Sequence, residues 1–316
     1  MKADVILCGS CVVDLPCLTV PLNQAIGVDR TIAIEPITPL CGGITCNVGI
    51  ALQRLGVSAG VLSCVGADQW AEVIRRKLSG EGVDSSWLHE HPTDPTTVVT
   101  VLIDKAGNRS FLVPDVRTAT KSIDAAFVEQ HLDAFHHTKY TIFGYFGRMP
   151  KLEPQLSQLL PKIRAKGCKV VIDTAETGGD WLILQEILPY LDVFVPSRAE
   201  AASLTNRQDP RDMVKAFRDA GAPGVLGVKL GEKGALLQDA DGSWIDLPAV
   251  EPPGPVIDTT GAGDCFVAGL LAGLHRGWDL ERSGCLATAA GAFAVTARGG
   301  CSGISSIEAL LRIVPM

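Results

Sequence analysis

Short runs of Val, Ile and Leu recur along this chain, separated by longer stretches whose apolar positions return every three or four residues. The runs lie at residues 5–7, 61–65, 169–173, 192–196, 225–230 and 235–238. Near-continuous apolar runs of that length predict strands buried on both faces, and the periodic stretches between them predict the helices that cover those faces. One helix ends at Leu55-Gly56; another is opened by Asp209-Pro210 and closed by Gly221, with the proline and the glycine at the ends that favour them. The expected fold class is therefore α/β, with a mostly parallel central sheet and helices on both faces.

Two segments break this rhythm. Residues 31–38, TIAIEPIT, alternate like a strand, and residues 97–113 read as a hairpin turning at 104–108. The hairpin is rich in β-branched residues but carries Thr, Ser and Arg, as suits a small sheet with one exposed or ligand-facing side. These segments predict a lid inserted from about 15–40 and 93–118 into a single unit spanning 1–316. No repeat or long linker separates two halves.

Composition narrows the function. Of 316 residues, 47% are hydrophobic and 20% charged, with 33 glycines, which excludes disordered and fibrous classes. The net charge of −7 and the lack of any Lys/Arg block argue against nucleic acid and anionic membranes as partners. The apolar segment 285–297 is too short to span a bilayer, and longer windows contain Pro and Gly. Asp4 and Asp14 interrupt the N-terminal apolar stretch, so it reads as a strand and not as an export signal. Ten cysteines, most in apolar contexts, point to a reduced, cytoplasmic setting. Cys8-Gly9-Ser10-Cys11 has CxxC spacing, but no second Cys/His pair stands at metal spacing, so a structural role is expected over a thiol oxidoreductase. The histidines form no zinc motif, and the GxxxxGK[ST] loop is absent.

The chemistry concentrates in Asp258-Thr259-Thr260-Gly261-Ala262-Gly263-Asp264, followed by the apolar CFVAGLL. A strand ending at Ile257 is expected to enter a small-residue turn, with a helix starting near Gly263. Several N–H groups then converge at a positive helix end, which forms an anion site. A carboxylate at Asp264 would repel a phosphate that is merely held. It makes sense as an acceptor for the proton of a hydroxyl that attacks the phosphorus, with the turn stabilising the charge that develops. A plain helix cap is the competing reading of the same aspartate.

DTTGAGDCFVAG resembles the C-terminal signature of the ribokinase, or PfkB, family of carbohydrate kinases. The segment from Gly42-Gly43 through Asn47 to Leu55-Gly56 resembles the family's N-terminal signature. The resemblance implies a three-layer ribokinase-like fold with a small β-sheet lid, in which Asp264 is the base and Gly261, Ala262 and Gly263 form the anion hole. It implies that Asp14, Gly42, Gly43 and Asn47 bind a sugar. A carboxylate and an amide suit sugar hydroxyls, and a glycine pair lets backbone approach a ligand. Taken alone, Asp14 also reads as a turn former and Asn47 as a helix cap.

The nucleotide half is implied by Val195-Pro196-Ser197-Arg198-Ala199-Glu200 and by Val228-Lys229-Leu230-Gly231-Glu232-Lys233-Gly234. Ser197, which replaces the family's usual Asn, and Lys229, Gly231 and Gly234 are the implied ATP contacts. Glu200 is the implied indirect partner of magnesium. The resemblance further implies a potassium site at Asp258, Thr260 and Gly299, and pairing of two copies through the lid. The expected activity is ATP-dependent phosphorylation of a sugar or sugar-like alcohol. Val12 and Ile44 depart from ribokinase proper, and Arg117 invites an acidic substrate or is a solvated loop charge. A nucleoside kinase of the same family and a catalytically silent sugar or nucleotide sensor are the rivals.

Overall fold

The computed structural model describes residues 2–24, 27, 29–114, 116–175 and 178–314. Thirteen strands form among the described residues: β1 (Val5–Gly9), β2 (Val12–Leu18), β3 (Leu40–Gly42), β4 (Ala59–Gly66), β5 (Asp84–His91), β6 (Thr97–Ile103), β7 (Arg109–Leu112), β8 (Tyr140–Phe146), β9 (Lys169–Thr174), β10 (Val193–Phe194), β11 (Val225–Lys229), β12 (Ala235–Gln238) and β13 (Trp244–Leu247). Nine of them make one sheet in the order β13-β12-β11-β10-β9-β8-β1-β4-β5, parallel except where β12 joins β11 and β13. The other four form a small sheet in the order β3-β2-β6-β7.

The apolar runs become central strands because both faces of the sheet are covered. Along β1, Val5 and Leu7 enter one core and Ile6 and Cys8 the other. The first core is closed by the helices Ile44–Arg54, Ala262–His275 and Leu280–Ala294. The second lies under Leu156–Arg164, Trp181–Ile187 and Pro210–Asp219. Cys8 and Cys11 thus belong to opposite cores, and the Cys11 sulfur lies 3.6 Å from Cys46 instead. None of the ten cysteines is in a disulfide. No helix among the described residues is long and apolar enough to cross a membrane.

Three expectations need correction. Residues 31–38 are not a strand; only Leu40–Gly42 pairs with β2. Pro36 and Pro39 remove ladder donors there, and Ile34 and Ile37 stay exposed. The segment entering the glycine turn is likewise no strand, because Pro252, Pro253 and Pro255 interrupt it; it is tied to the end of the helix Leu280–Ala294 by Ile257 N–H donating to the Val295 carbonyl at 2.8 Å. Asp14, which taken alone reads as a turn former, instead sits within β2, paired with Leu40 and Val99 of the small sheet.

The chain leaves β1 toward β4 on one side and returns to β8 on the other. The crevice at the carboxyl ends of β1 and β8 is therefore a topological switch point, where open α/β sheets bind ligands. The small sheet stands beside that crevice.

Candidate active site

Asp264 lies in the first turn of the helix Ala262–His275, whose N-cap, Gly261, takes a left-handed φ of 74°. Glycine is required there twice over, since a Cβ would fall 2.1 Å from the Gly300 carbonyl oxygen. Asp264 is 5% exposed, and its Oδ2 accepts from Asn47 Nδ2 and from the Tyr145 hydroxyl, each at 2.7 Å. Burial raises its carboxyl above the usual range, while those two hydrogen bonds and the Lys229 charge pull the other way. Neither of these bonds uses Oδ1. Burial, together with the Asp264 charge, pushes the Tyr145 phenol well up, so it stays a donor.

Asn47 enters from the helix Ile44–Arg54 and packs so closely on Gly300 that a Cβ there would fall 2.4 Å from its amide. Its Oδ1 is buried without a hydrogen-bond partner among the described residues. A buried acceptor costs free energy until a donor arrives, so this atom fits a ligand hydroxyl. Asn47 lines a cavity of about 290 Å³ that also takes in Asp14 and Tyr145. Asp14 is pushed up to about 6 by burial and by the Asp258 charge. Its Oδ2 occupies the space beside Gly42, where a Cβ would lie 2.1 Å away. Gly43, at φ 80°, caps the helix and rests on the Ser10 carbonyl. Val12, Val99, Phe111 and Val113 form an apolar wall on the small-sheet side.

Across Asp264 from this cavity, the ends of β9, β10 and β11 carry charge. Lys229 Nζ donates to Asp173 Oδ1 at 3.0 Å and lies 3.2 Å from where a Gly263 side chain would begin. Burial pulls Lys229 down, but Asp173 and Glu200 outweigh it and hold the ammonium charged, while burial lifts Asp173 to about 6 despite Lys229. Ser197 bridges to Lys229, and Glu200 completes a capping box, with Oε2 accepting from Ser197 N–H at 2.7 Å and Thr174 Oγ1 at 2.8 Å. Asp173, Glu200 and Asp264 thus face one ammonium. That surplus of carboxylate oxygen fits a hard divalent cation held mainly by phosphates and water, since no three His, Cys, Asp or Glu side chains cage a metal among the described residues. Gly231 and Gly234 shape the connection from β11 to β12, with φ of 62° and 87°. No hydrogen bond joins either glycine to Asp264 among the described residues.

Asp258 ties the glycine turn to its neighbours. Its Oδ1 accepts the Thr260 N–H at 2.9 Å, and its Oδ2 the Gly299 N–H at 3.0 Å. Arg109, at the start of β7, donates Nη1 to Asp258 Oδ1 and Thr260 Oγ1 and Nη2 to Thr259 Oγ1. Asp258, Thr260 and Gly299 do come together, but Gly299 offers its N–H, and its carbonyl accepts from Ser302 N–H at 3.2 Å. The Asp258 carboxylate thus already has a positive partner in the Arg109 guanidinium.

A family model described as pfkB family carbohydrate kinase matches residues 2–307. The chain belongs to the pfkB family. As a pfkB member it is a carbohydrate kinase. It is 30% identical over 277 residues to aminoimidazole riboside kinase of Salmonella typhimurium, covering 83% of this chain and 84% of that one. It is 26% identical over 313 residues to ribokinase of Haemophilus influenzae, covering 96% and 94%. Its fold matches Arabidopsis thaliana ribokinase complexed with ribose and ATP at a TM-score of 0.82, with 20% identity over 100% of both chains. The match to a putative ribokinase II from E. coli in complex with ATP and Mg2+ also has a TM-score of 0.82, with 23% identity over 99% of both.

In this pfkB chain, the motif residues Asp14, Gly42, Gly43, Asn47 and Gly261–Asp264 converge on one crevice, and Ser197, Glu200 and Lys229 converge beside it. Arg117 is exposed and does not line the cavity, whose cationic residues are Lys121 and Arg148. Sequence reasoning missed Tyr145, Asp173 and Arg109. The first two stand near the carboxyl ends of parallel strands, a position that could have flagged them. Arg109 carried no such signal, being one of three charges in the hairpin beside Asp104 and Lys105.

Proposed function

We propose that this pfkB kinase transfers the γ-phosphoryl group of ATP to a hydroxyl of a sugar or sugar-like alcohol, with Asp264 as general base. Asp14 and Asn47 hold the acceptor by its other hydroxyls, and the buried, unpartnered Asn47 Oδ1 is the observation that carries this reading. Asn47 and Tyr145 fix Asp264 through Oδ2, which leaves Oδ1 to face the attacking hydroxyl. Asp264 takes the hydroxyl proton as the new O–P bond forms and the bond to the ADP oxygen breaks. The N–H groups of Gly261, Ala262 and Gly263 and the Lys229 ammonium stabilise the charge on the moving group. Ser197 and the glycines after β11 line the path of the nucleotide. Magnesium, when bound, would neutralise phosphate charge, with Glu200 oriented toward its water shell. No step is assigned to potassium. The small sheet acts as the lid, which excludes water from the transfer.

The test is Asp264→Asn, assayed for ATP consumption across sugars, sugar acids and nucleosides. Turnover is expected to fall by about 10²–10⁴-fold, the range of general-base contributions, with acceptor binding retained. Wild-type turnover in that variant would refute the reading. A nucleoside as acceptor is the second reading, favoured by the apolar wall of Val12, Val99, Phe111 and Val113 opposite the polar floor. A flat, poorly hydrated base suits such a wall better than a free hexose does. Higher kcat/KM for a nucleoside than for any free sugar, lost in Phe111→Ala, would select it.

A further inference from the structure

We propose that Arg109 is a positioning residue: a guanidinium carried by the lid that docks on the anion turn and supplies the cation that Asp258 faces. The inference rests on the lid and anion-turn reading above. Arg109 opens β7 opposite Ile103, directly after the tight turn that Asp104 organises by accepting from Ala106 and Asn108 N–H. The tip of that hairpin is otherwise set apart from the segment entering the glycine turn by a cleft of about 560 Å³, lined by Glu35, Lys105, Gly107 and Arg298 among others. The Arg109 side chain crosses this gap. Its side chain is 20% exposed and that of Asp258 12%, so the pair is shielded from water and salt far more than a surface ion pair is.

The geometry makes the contact specific to the guanidinium. One planar fork reaches a carboxylate and two hydroxyls on three consecutive residues, which a single ammonium cannot match. Asp258 Oδ1 simultaneously accepts the Thr260 N–H, so Arg109 braces the turn whose next residues are Gly261 and Gly263. When the lid lifts, Asp258 loses its counter-charge and the turn loses three donors. Closure over the acceptor and the setting of the anion hole are thereby one event. Transfer to water with the lid open is disfavoured by the same linkage.

The experiment compares wild type, Arg109→Met, Arg109→Lys and the double variant Arg109→Met/Asp258→Asn. Arg109→Met is expected to lower kcat by about ten- to a hundred-fold, the loss typical of a hydrogen-bonded charge, with the KM for ATP within a small factor of wild type. Arg109→Lys recovers only part of that loss, and the double variant is no worse than the more damaging single change. Wild-type turnover is expected to persist when potassium is replaced by tetramethylammonium, whereas Arg109→Met gains activation by potassium. Hydrogen exchange of residues 258–262 in the bound protein is expected to quicken in Arg109→Met. That readout needs no turnover, so it separates this inference from the assignment of Asp264. Unchanged exchange, strictly additive losses, or a wild-type enzyme silent without potassium would overturn the proposal. If Arg109→Met does not fold, Arg109→Lys with normal exchange and turnover would overturn it equally.

Discussion

Tyr145→Phe removes one of the two donors that hold Asp264 Oδ2, each at 2.7 Å, and leaves the aromatic ring in place. A hydrogen bond to an ionised acceptor contributes about 1.5–3 kcal/mol, and each 1.4 kcal/mol is about a factor of ten in an equilibrium constant. The proton affinity of Asp264 is therefore expected to rise by about ten- to a hundred-fold. On the proposed reading Asp264 is a base that works only when deprotonated, so turnover is expected to climb with pH as it ionises. Losing a bond that favours the ionised form moves that climb to higher pH and leaves the alkaline plateau close to wild type. Asp14 and Asp173, each pushed up to about 6, contribute titrations of their own to the profile. The diagnostic is accordingly the displacement between the two proteins, and not the position of either curve. The assay is ADP release at saturating ATP, with kcat and kcat/KM followed from acid to mildly alkaline pH. A Tyr145→Phe enzyme slowed by the same factor at every pH would refute the claim that Tyr145 tunes the base. An unshifted curve at full rate would do the same.

Gly300→Ala would place a Cβ 2.4 Å from the Asn47 amide. Overpacking of this kind costs about 1–3 kcal/mol of stability, and displacing Asn47 by about 1 Å is expected to cost about a hundred-fold in turnover; unchanged kinetics would show that its placement is immaterial. Far from the site, Arg54 donates to Glu81 at 2.6 and 2.9 Å and holds that carboxyl at about 2, below its ordinary 4.5. A depressed carboxyl stabilises the fold fully above its unfolded value and less as pH falls toward its folded one. Stability should therefore decline between about 4.5 and 2, and Glu81→Gln should flatten that decline in urea unfolding curves. Equal slopes for the two proteins would contradict it.

The glycine turn was legible because its function is local: small residues, a helix start and a carboxylate lie within seven consecutive positions. Asn47 was legible for the same reason, as it follows a glycine pair at the start of its own helix. Tyr145, Asp173 and Arg109 act across 119, 56 and 149 positions, and nothing near them in the chain announces the partner. The central strands were readable where both faces are apolar. β5, with the sequence DSSWLHEH at the sheet edge, carries too many polar residues to match that pattern, and β2 is marked as a turn by Asp14 and Pro16. Residues 31–38 mislead in the opposite direction, since alternation suggests a strand that their prolines forbid.

The bond from Asn47 to Asp264 joins residues 217 positions apart. A nascent or truncated chain ending before the helix Ala262–His275 already owns Asp14, Gly43 and every strand of both sheets, yet lacks Asp264 and the end of the glycine turn. On the proposed reading, synthesis of this enzyme has a built-in order: the part that grips an acceptor exists before the part that spends ATP. Unfinished molecules are then harmless to the cell's nucleotide pool, and two separately expressed halves would make a reporter whose signal is silent until they meet.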